Sequence, residues 1–147
     1  MENRFETFTT LISKIARNIR RIKSEEMANF NLKTSHVSCI YYLYQNSDLT
    51  AKELCDICDE DKGAMSRAID FLEKEGYLIC ESKTEKRYKS PLSLTEKGNA
   101  VGERISNRVN KYVELASQGL SETDRKLFYD SLKLISDNLQ QICEDYD

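Results

Sequence analysis

The sequence predicts a mainly α protein with a small β-hairpin. Only one Pro and five Gly occur in 147 residues, and 32% of the chain is charged, a composition that favours long solvated helices over a sandwich or barrel. Three long segments carry apolar residues at helical spacing. One short stretch, from Tyr77 to Thr95, sets an apolar run, a polar run and Leu92-Ser93-Leu94, which alternates as a strand does, in the order of a hairpin.

The first long segment places Phe5, Phe8, Ile12, Ile15, Ile19 and Ile22 on a single stripe, a coiled-coil-like spacing. Thr34 or Ser35 can cap a second helix that runs to about Asn46. The run Thr50-Ala51-Lys52-Glu53 is a capping box opening a third, with Leu54, Ile57 and Cys58 expected inward. Asp61 can cap a fourth, from about Lys62 to Glu75, closed by Gly76 and burying Met65, Ala68, Ile69 and Leu72. Next come Tyr77-Leu78-Ile79-Cys80, the polar run Ser82 to Ser90, and Leu92-Ser93-Leu94. Pro91 suits the outer strand of a two-stranded ribbon, where no ladder N–H is needed. Thr95 caps a long helix carrying Val101, Ile105, Val109, Tyr112 and Ala116. After Gly119, Ser121 with Asp124 opens the last helix, striped by Phe128, Leu132, Ile135, Leu139 and Ile142.

The length has room for one domain. No apolar run approaches the ~20 residues that span a bilayer. Arg4 and Glu6 interrupt the start where a signal peptide needs an apolar core, so the chain reads as cytoplasmic, with no membrane partner. Five Cys is an odd count, and thiols spread along helices read as reduced rather than as a disulfide framework.

Charge is distributed unevenly. The net of -3 argues by itself against nucleic acid. Residues 1–24, however, set six cations against two acids, a net of +4, and residues 82–97 set five against two, a net of +3. Residues 121–147 sum to -4, and residues 48–61, where only Lys52 opposes six acids, to -5. A basic hairpin tip in an acidic chain is the feature to explain.

Two short helices across a tight acidic turn, followed by a basic hairpin, outline a helix-turn-helix with a wing. Three blocks make the sequence resemble the MarR family of transcriptional regulators: Asp61-Lys62-Gly63-Ala64-Met65-Ser66-Arg67, Leu72-Glu73-Lys74-Glu75-Gly76-Tyr77-Leu78 and Leu94-Thr95-Glu96-Lys97-Gly98. With the flanking helices the resemblance covers nearly the whole chain. It implies a winged helix-turn-helix lobe at about 34–98 flanked by dimerisation helices at about 1–30 and 99–147. Such a protein binds double-stranded DNA as a homodimer and acts as a repressor released by a small effector. The family's wing carries an Asp-x-Arg, but those positions here hold Lys86 and Tyr88, so Arg87 is taken as the wing contact, with Lys86 and Lys89 beside it.

The residues argue for DNA in their own right. On the fourth helix Lys62, Gly63, Ala64, Ser66 and Arg67 share an exposed face near the N-terminus. Small residues allow close approach to a groove, Arg67 can read a guanine edge bidentately, and Ser66 suits a phosphate or base. An intrahelical pair with Asp70 is the alternative for Arg67. Backbone N–H groups near Thr34 and Ser35 can grip phosphate, and Asp59-Glu60-Asp61 suits a helix N-terminus. One recognition helix binds weakly, so two copies on a pseudopalindrome, roughly 34 Å apart, are expected. The terminal stripes give the reason to dimerise, an intramolecular bundle being the alternative.

The resemblance also implies an effector pocket for a small aromatic compound, drawn from Ile12, Ile15, His36, Tyr41, Tyr42, Tyr44 and Tyr112, although tyrosines along a helix are commonly core. A thiol-based redox regulator acting through Cys55, Cys58 or another Cys is the second reading. Cys55 with Cys58, and His36 with Cys39, are both at i, i+3, so a Cys3His zinc site is conceivable. Neither pair alone completes a tetrahedral set, and Cys58 reads as core filler, so no metal or cofactor is expected. With one His, no phosphate-cradling Gly loop and no nucleophile motif, an enzyme is not expected.

Overall fold

A computed structural model of the chain describes residues 3–58, 60–82 and 88–147. Six helices and one hairpin follow in the order α1 (Arg4–Met27), a single 3-10 turn (Ala28–Phe30), α2 (Thr34–Gln45), α3 (Ala51–Cys58), α4 (Lys62–Lys74), β1 (Leu78–Cys80), β2 (Leu92–Leu94), α5 (Glu96–Ala116) and α6 (Glu122–Glu144). The fold is mainly α with a β-hairpin wing, as the composition and spacing predict. Two compact units divide it, Met1–Ser106 and Asn107–Asp147. Among the described residues no helix is long and apolar enough to cross a membrane.

Local chemistry sets the element ends. Asn3 caps α1 by accepting the Glu6 N–H. The Thr50 hydroxyl accepts the Glu53 N–H and donates to the Glu53 carboxylate, both at 3.1 Å, so Thr50 caps α3 as expected while the carboxylate returns to the hydroxyl and not, as in a full capping box, to the Thr50 N–H. Asp61 accepts the Ala64 N–H at 2.7 Å and starts α4. At the other end of α4, Gly76 takes a φ of 82°. The Tyr77 N–H donates to the Leu72 carbonyl and the Gly76 N–H to that of Glu73, closing the helix in a Schellman motif.

The cap of α2 differs from expectation. Lys33, not Thr34 or Ser35, is the N-cap, and Thr34 is already the first helical residue. The reason is His36, whose Nδ1 accepts the Lys33 N–H at 3.2 Å. That bond ties the Lys33 N–H to the third helical residue and so fixes Lys33 as the residue at which the helix begins. In α3 the buried residues are Ala51, Leu54 and Cys55, whereas Ile57 is 44% exposed and Cys58 only half-buried. Spacing explains the correction: 51, 54 and 55 fall on one face, and Ile57 lies two residues from Cys55, off that face.

The core of the first unit is built from α2, α3, α4 and the hairpin. Ile40, Leu54, Met65, Leu72, Leu78 and Leu92 are its fully buried large side chains. All four residues expected inward on α4, Met65, Ala68, Ile69 and Leu72, are buried. β1 and β2 pair antiparallel with Leu78 opposite Leu94 and Cys80 opposite Leu92. The sheet is two-stranded, as expected, and Pro91 just before β2 also bridges Thr50, with the Leu92 N–H donating to the Leu49 carbonyl at 2.9 Å. Proline is tolerated because the first ladder donor on that side comes from Leu92.

The start of α5 is pressed onto this lobe by glycines. A Cβ on Gly98 would lie 2.0 Å from the Tyr77 carbonyl oxygen, and one on Gly102 would lie 2.8 Å from Tyr44 Cβ. Only hydrogen fits at either place. The Thr95 hydroxyl accepts the Gly98 N–H and donates to the Gly76 carbonyl at 2.6 Å, so one side chain caps α5 and ties it to the end of α4. Farther on, the Gln45 amide donates to the buried Ser106 hydroxyl.

In the second unit, Gly119 at φ 92° turns the chain, and Ser121 caps α6 by accepting the Asp124 N–H at 3.0 Å. No residue of α6 is buried. Its stripe of Phe128, Ile135, Leu139 and Ile142 is 38–51% exposed. On α1, in the first unit, Phe8, Ile12, Ile15, Ile19 and Ile22 are likewise open, and among its described side chains only Met27 at its end is buried.

Candidate nucleic-acid interface

The candidate interface begins at the N-terminal turns of α4. Once its apolar stripe is buried, the helix presents Lys62, Gly63, Ser66 and Arg67 to solvent, with Ala64 half-buried beside them. Gly63 leaves open the space over the first turn: a Cβ there would meet Asp61 Oδ1 at 3.2 Å and Arg67 Nη1 at 3.3 Å. The Arg67 guanidinium therefore folds back toward the helix start, the end from which a recognition helix reads base edges.

Beside α4 lies a groove of about 680 Å³ lined by Met27, Ala28, Leu32, Lys33, Ser35, His36, Arg67 and Phe71 among others. The N-terminus of α2 contributes to it, so Ser35 and Arg67 share one concavity, with exposed Thr34 next in sequence. Its floor is a stacked pair, the His36 ring 4.2 Å from that of Phe71 and 8° from parallel. Burial, then the nearby Lys33 charge, holds the imidazole below its usual 6.5. With Nδ1 accepting a backbone N–H, the neutral ring carries its proton on Nε2.

Of the seven residues expected in an effector pocket, the groove gathers only His36. Ile12 and Ile15 are exposed on α1. Tyr41 and Tyr42 pack edge to face on each other, Tyr44 lies against Gly102, and Tyr112 belongs to the second unit. Each tyrosine of α2 thus has its own packing role. Sequence spacing cannot find Phe71 or Leu32, because they come to His36 only through the packing of the chain around α2 and α4.

At the wing, Lys86 and Arg87 lie outside the described residues, as does Asp59. Lys89 is exposed. Tyr88 is not among the contacts expected from sequence, yet its ring sits under the Lys62 ammonium, 4.6 Å from centroid to Nζ. Hydrogen bonding with the Cys55 thiol, then burial, pushes the Tyr88 phenol up to about 12.

Two further thiols, Cys39 and Cys58, are held in the protonated form. Burial first, then neighbouring thiols and Glu60, pushes Cys39 up to about 12. Cys58, again through burial first and Glu60 second, is raised to about 11. The Cys39 thiol donates to Met65 Sδ at 3.4 Å. With His36 turned to Lys33 and Phe71, the conceivable Cys3His set is not assembled, and no group of three or more potential ligands among the described residues is arranged to hold a metal.

Comparison with known proteins agrees with this geometry. A winged helix DNA-binding domain family matches residues 36–113. An HTH-type transcriptional regulator of Bacillus cereus is 28% identical over 111 residues, covering 75% of this chain and 74% of its own. Among solved structures, a MarR-family regulator from Listeria monocytogenes in complex with a 26-mer DNA is 26% identical, with a TM-score of 0.78 over 95% of this chain and 90% of that one. A MarR protein from Peptoclostridium difficile superimposes with a TM-score of 0.82 at 19% identity, covering 100% of this chain and 96% of that one. The Bacillus and Listeria proteins are transcriptional regulators.

Proposed function

Since the chain belongs to the winged helix DNA-binding domain family and is a DNA-binding transcriptional regulator of the MarR type, we propose that it is a cytoplasmic homodimeric repressor whose hold on DNA a small molecule releases. The exposed face of α4, with Lys62, Gly63, Ser66 and Arg67 open while its other side fills the core, carries this reading. Two such helices enter successive major grooves of a pseudopalindrome. Thr34 and Ser35 at the start of α2 take phosphate, and Lys89 reaches the backbone from the wing, with Lys86 and Arg87 assigned beside it from sequence.

Dimerisation is supported by the open stripes of α1 and α6. A 24-residue helix whose isoleucines are 38–47% exposed leaves more apolar surface bare than a monomer normally tolerates. The +4 of residues 1–24 and the -4 of residues 121–147 suit contact between copies. The effector is assigned to the groove at His36 and Phe71, where aromatic faces and the cations Lys33 and Arg67 converge. It releases DNA by preferring a dimer whose recognition helices are wrongly spaced. The redox alternative gains nothing from Cys39 and Cys58, whose raised values keep them as thiols.

Selection from random duplexes, read by fluorescence anisotropy at two salt concentrations, tests the reading. An enriched palindromic site bound by a species of twice the single-chain mass, with affinity falling steeply in salt, is expected. Absence of enrichment at both salts would overturn it.

A further inference from the structure

Lys62 is the first residue of α4, and a cation there faces the positive end of the helix dipole, which disfavours it. The carboxylate next to it in sequence, on the Asp61 N-cap, accepts the Ala64 N–H. Among the described residues Lys62 forms no ion pair. What holds its ammonium is the face of Tyr88, at 4.6 Å, well inside the roughly 6 Å over which a ring attracts a cation.

Tyr88 is itself anchored. Three residues later the chain joins the sheet, through the Thr50 to Pro91 bridge and the Leu92 to Leu49 hydrogen bond. One side chain from the wing therefore touches the first turn of α4. Tyr88 also stands where the family resemblance implies an arginine, so this chain has exchanged a wing cation for a ring.

We propose that Tyr88 is a positioning residue of the DNA-binding surface, its ring holding the Lys62 ammonium in place for phosphate contact at the mouth of the major groove. The cation at the wing base is thus supplied by the recognition helix and aimed by the wing. This assignment rests on the regulator reading above. Because phosphate contacts carry no sequence information, Tyr88 acts on affinity and leaves base preference alone.

A double-mutant cycle on the full-length protein with the selected duplex tests it. Tyr88→Leu weakens binding about three- to tenfold on every duplex alike, Tyr88→Phe stays near the parent, and Tyr88→Leu does nothing further once Lys62→Met is present. An equal loss in the Lys62→Met background, or a Phe variant as weak as the Leu variant, overturns the proposal. A second readout needs no DNA: the ε-methylene protons of Lys62 show an upfield ring-current shift in the NMR spectrum of the parent and of Tyr88→Phe, and lose it in Tyr88→Leu. Duplex binding without that shift overturns the proposal alone. The shift in a protein that binds no duplex overturns the regulator reading, and with it the role of Tyr88 on DNA.

Discussion

His36 and Phe71 lie face to face, 4.2 Å apart and 8° from parallel, and this contact joins the start of α2 to α4. The stack depends on a neutral imidazole, because its Nδ1 lone pair accepts the Lys33 N–H. Protonation would break that bond and set a second charge beside Lys33. The unfolded chain takes up this proton near 6.5 and the folded chain at lower pH, so the stability His36 contributes is whole above about 6.5 and declines as pH falls below it. Thermal melting of the parent and of His36→Gln should show a gap that narrows from about pH 7.5 to about pH 5.5. A gap independent of pH would show that the imidazole is not held neutral.

Arg67→Ala should cost about 1–3 kcal/mol of duplex affinity and relax preference at one base position. Gly63→Ala should act in the same direction but more weakly, since its methyl would crowd Arg67 Nη1 and Asp61 Oδ1 at 3.2–3.3 Å. Both effects are read by anisotropy against single-base variants of the selected site. Unchanged preference in Arg67→Ala would remove the arginine from base reading.

At Gly98 the expected damage is to folding. A methyl carbon there would stand 2.0 Å from the Tyr77 carbonyl oxygen, with no rotamer to choose, so Gly98→Ala should destabilise by about 3 kcal/mol or more. Urea denaturation measures it. Ser66→Ala, on the exposed face of α4, should change stability by less than about 0.5 kcal/mol.

Thiol labelling at neutral pH should find Cys143, exposed on α6, modified first. Cys39 and Cys58 should follow only as the protein unfolds, because values near 12 and 11 leave almost no thiolate. Peroxide at concentrations that oxidise free thiols should leave duplex affinity unchanged. Rapid labelling of Cys58 together with loss of binding would restore the redox reading.

Helices, caps and the wing are legible in the sequence because each rests on nearby residues: Thr50 with Glu53, Asp61 with Ala64, Gly76 after α4, Ser121 with Asp124. The inward face of α4 is readable from its spacing alone. Expectation and structure part where a less obvious partner intervenes. The cap of α2 moves to Lys33 because a ring three residues on bonds its N–H, and Ile57 turns outward because Cys55 fills the inward place on α3. In the candidate site, the exposed residues of α4 follow from helical geometry, whereas the groove at His36 needs Phe71 from another helix. Tyr88 stands out in the sequence only as a missing arginine. Its role as a seat for Lys62 needs coordinates, since no spacing rule links residues so far apart across a hairpin.

The junction at Gly76, Tyr77, Thr95 and Gly98 behaves as a rigid weld. Backbone meets backbone there with no side chain between to yield, and the Thr95 hydroxyl fastens both helix ends. The reading head and the first turns of α5 therefore tilt together, as a key turns with its shaft. Anything that turns the start of α5 must turn the end of α4 with it, because the bow cannot twist on the shaft.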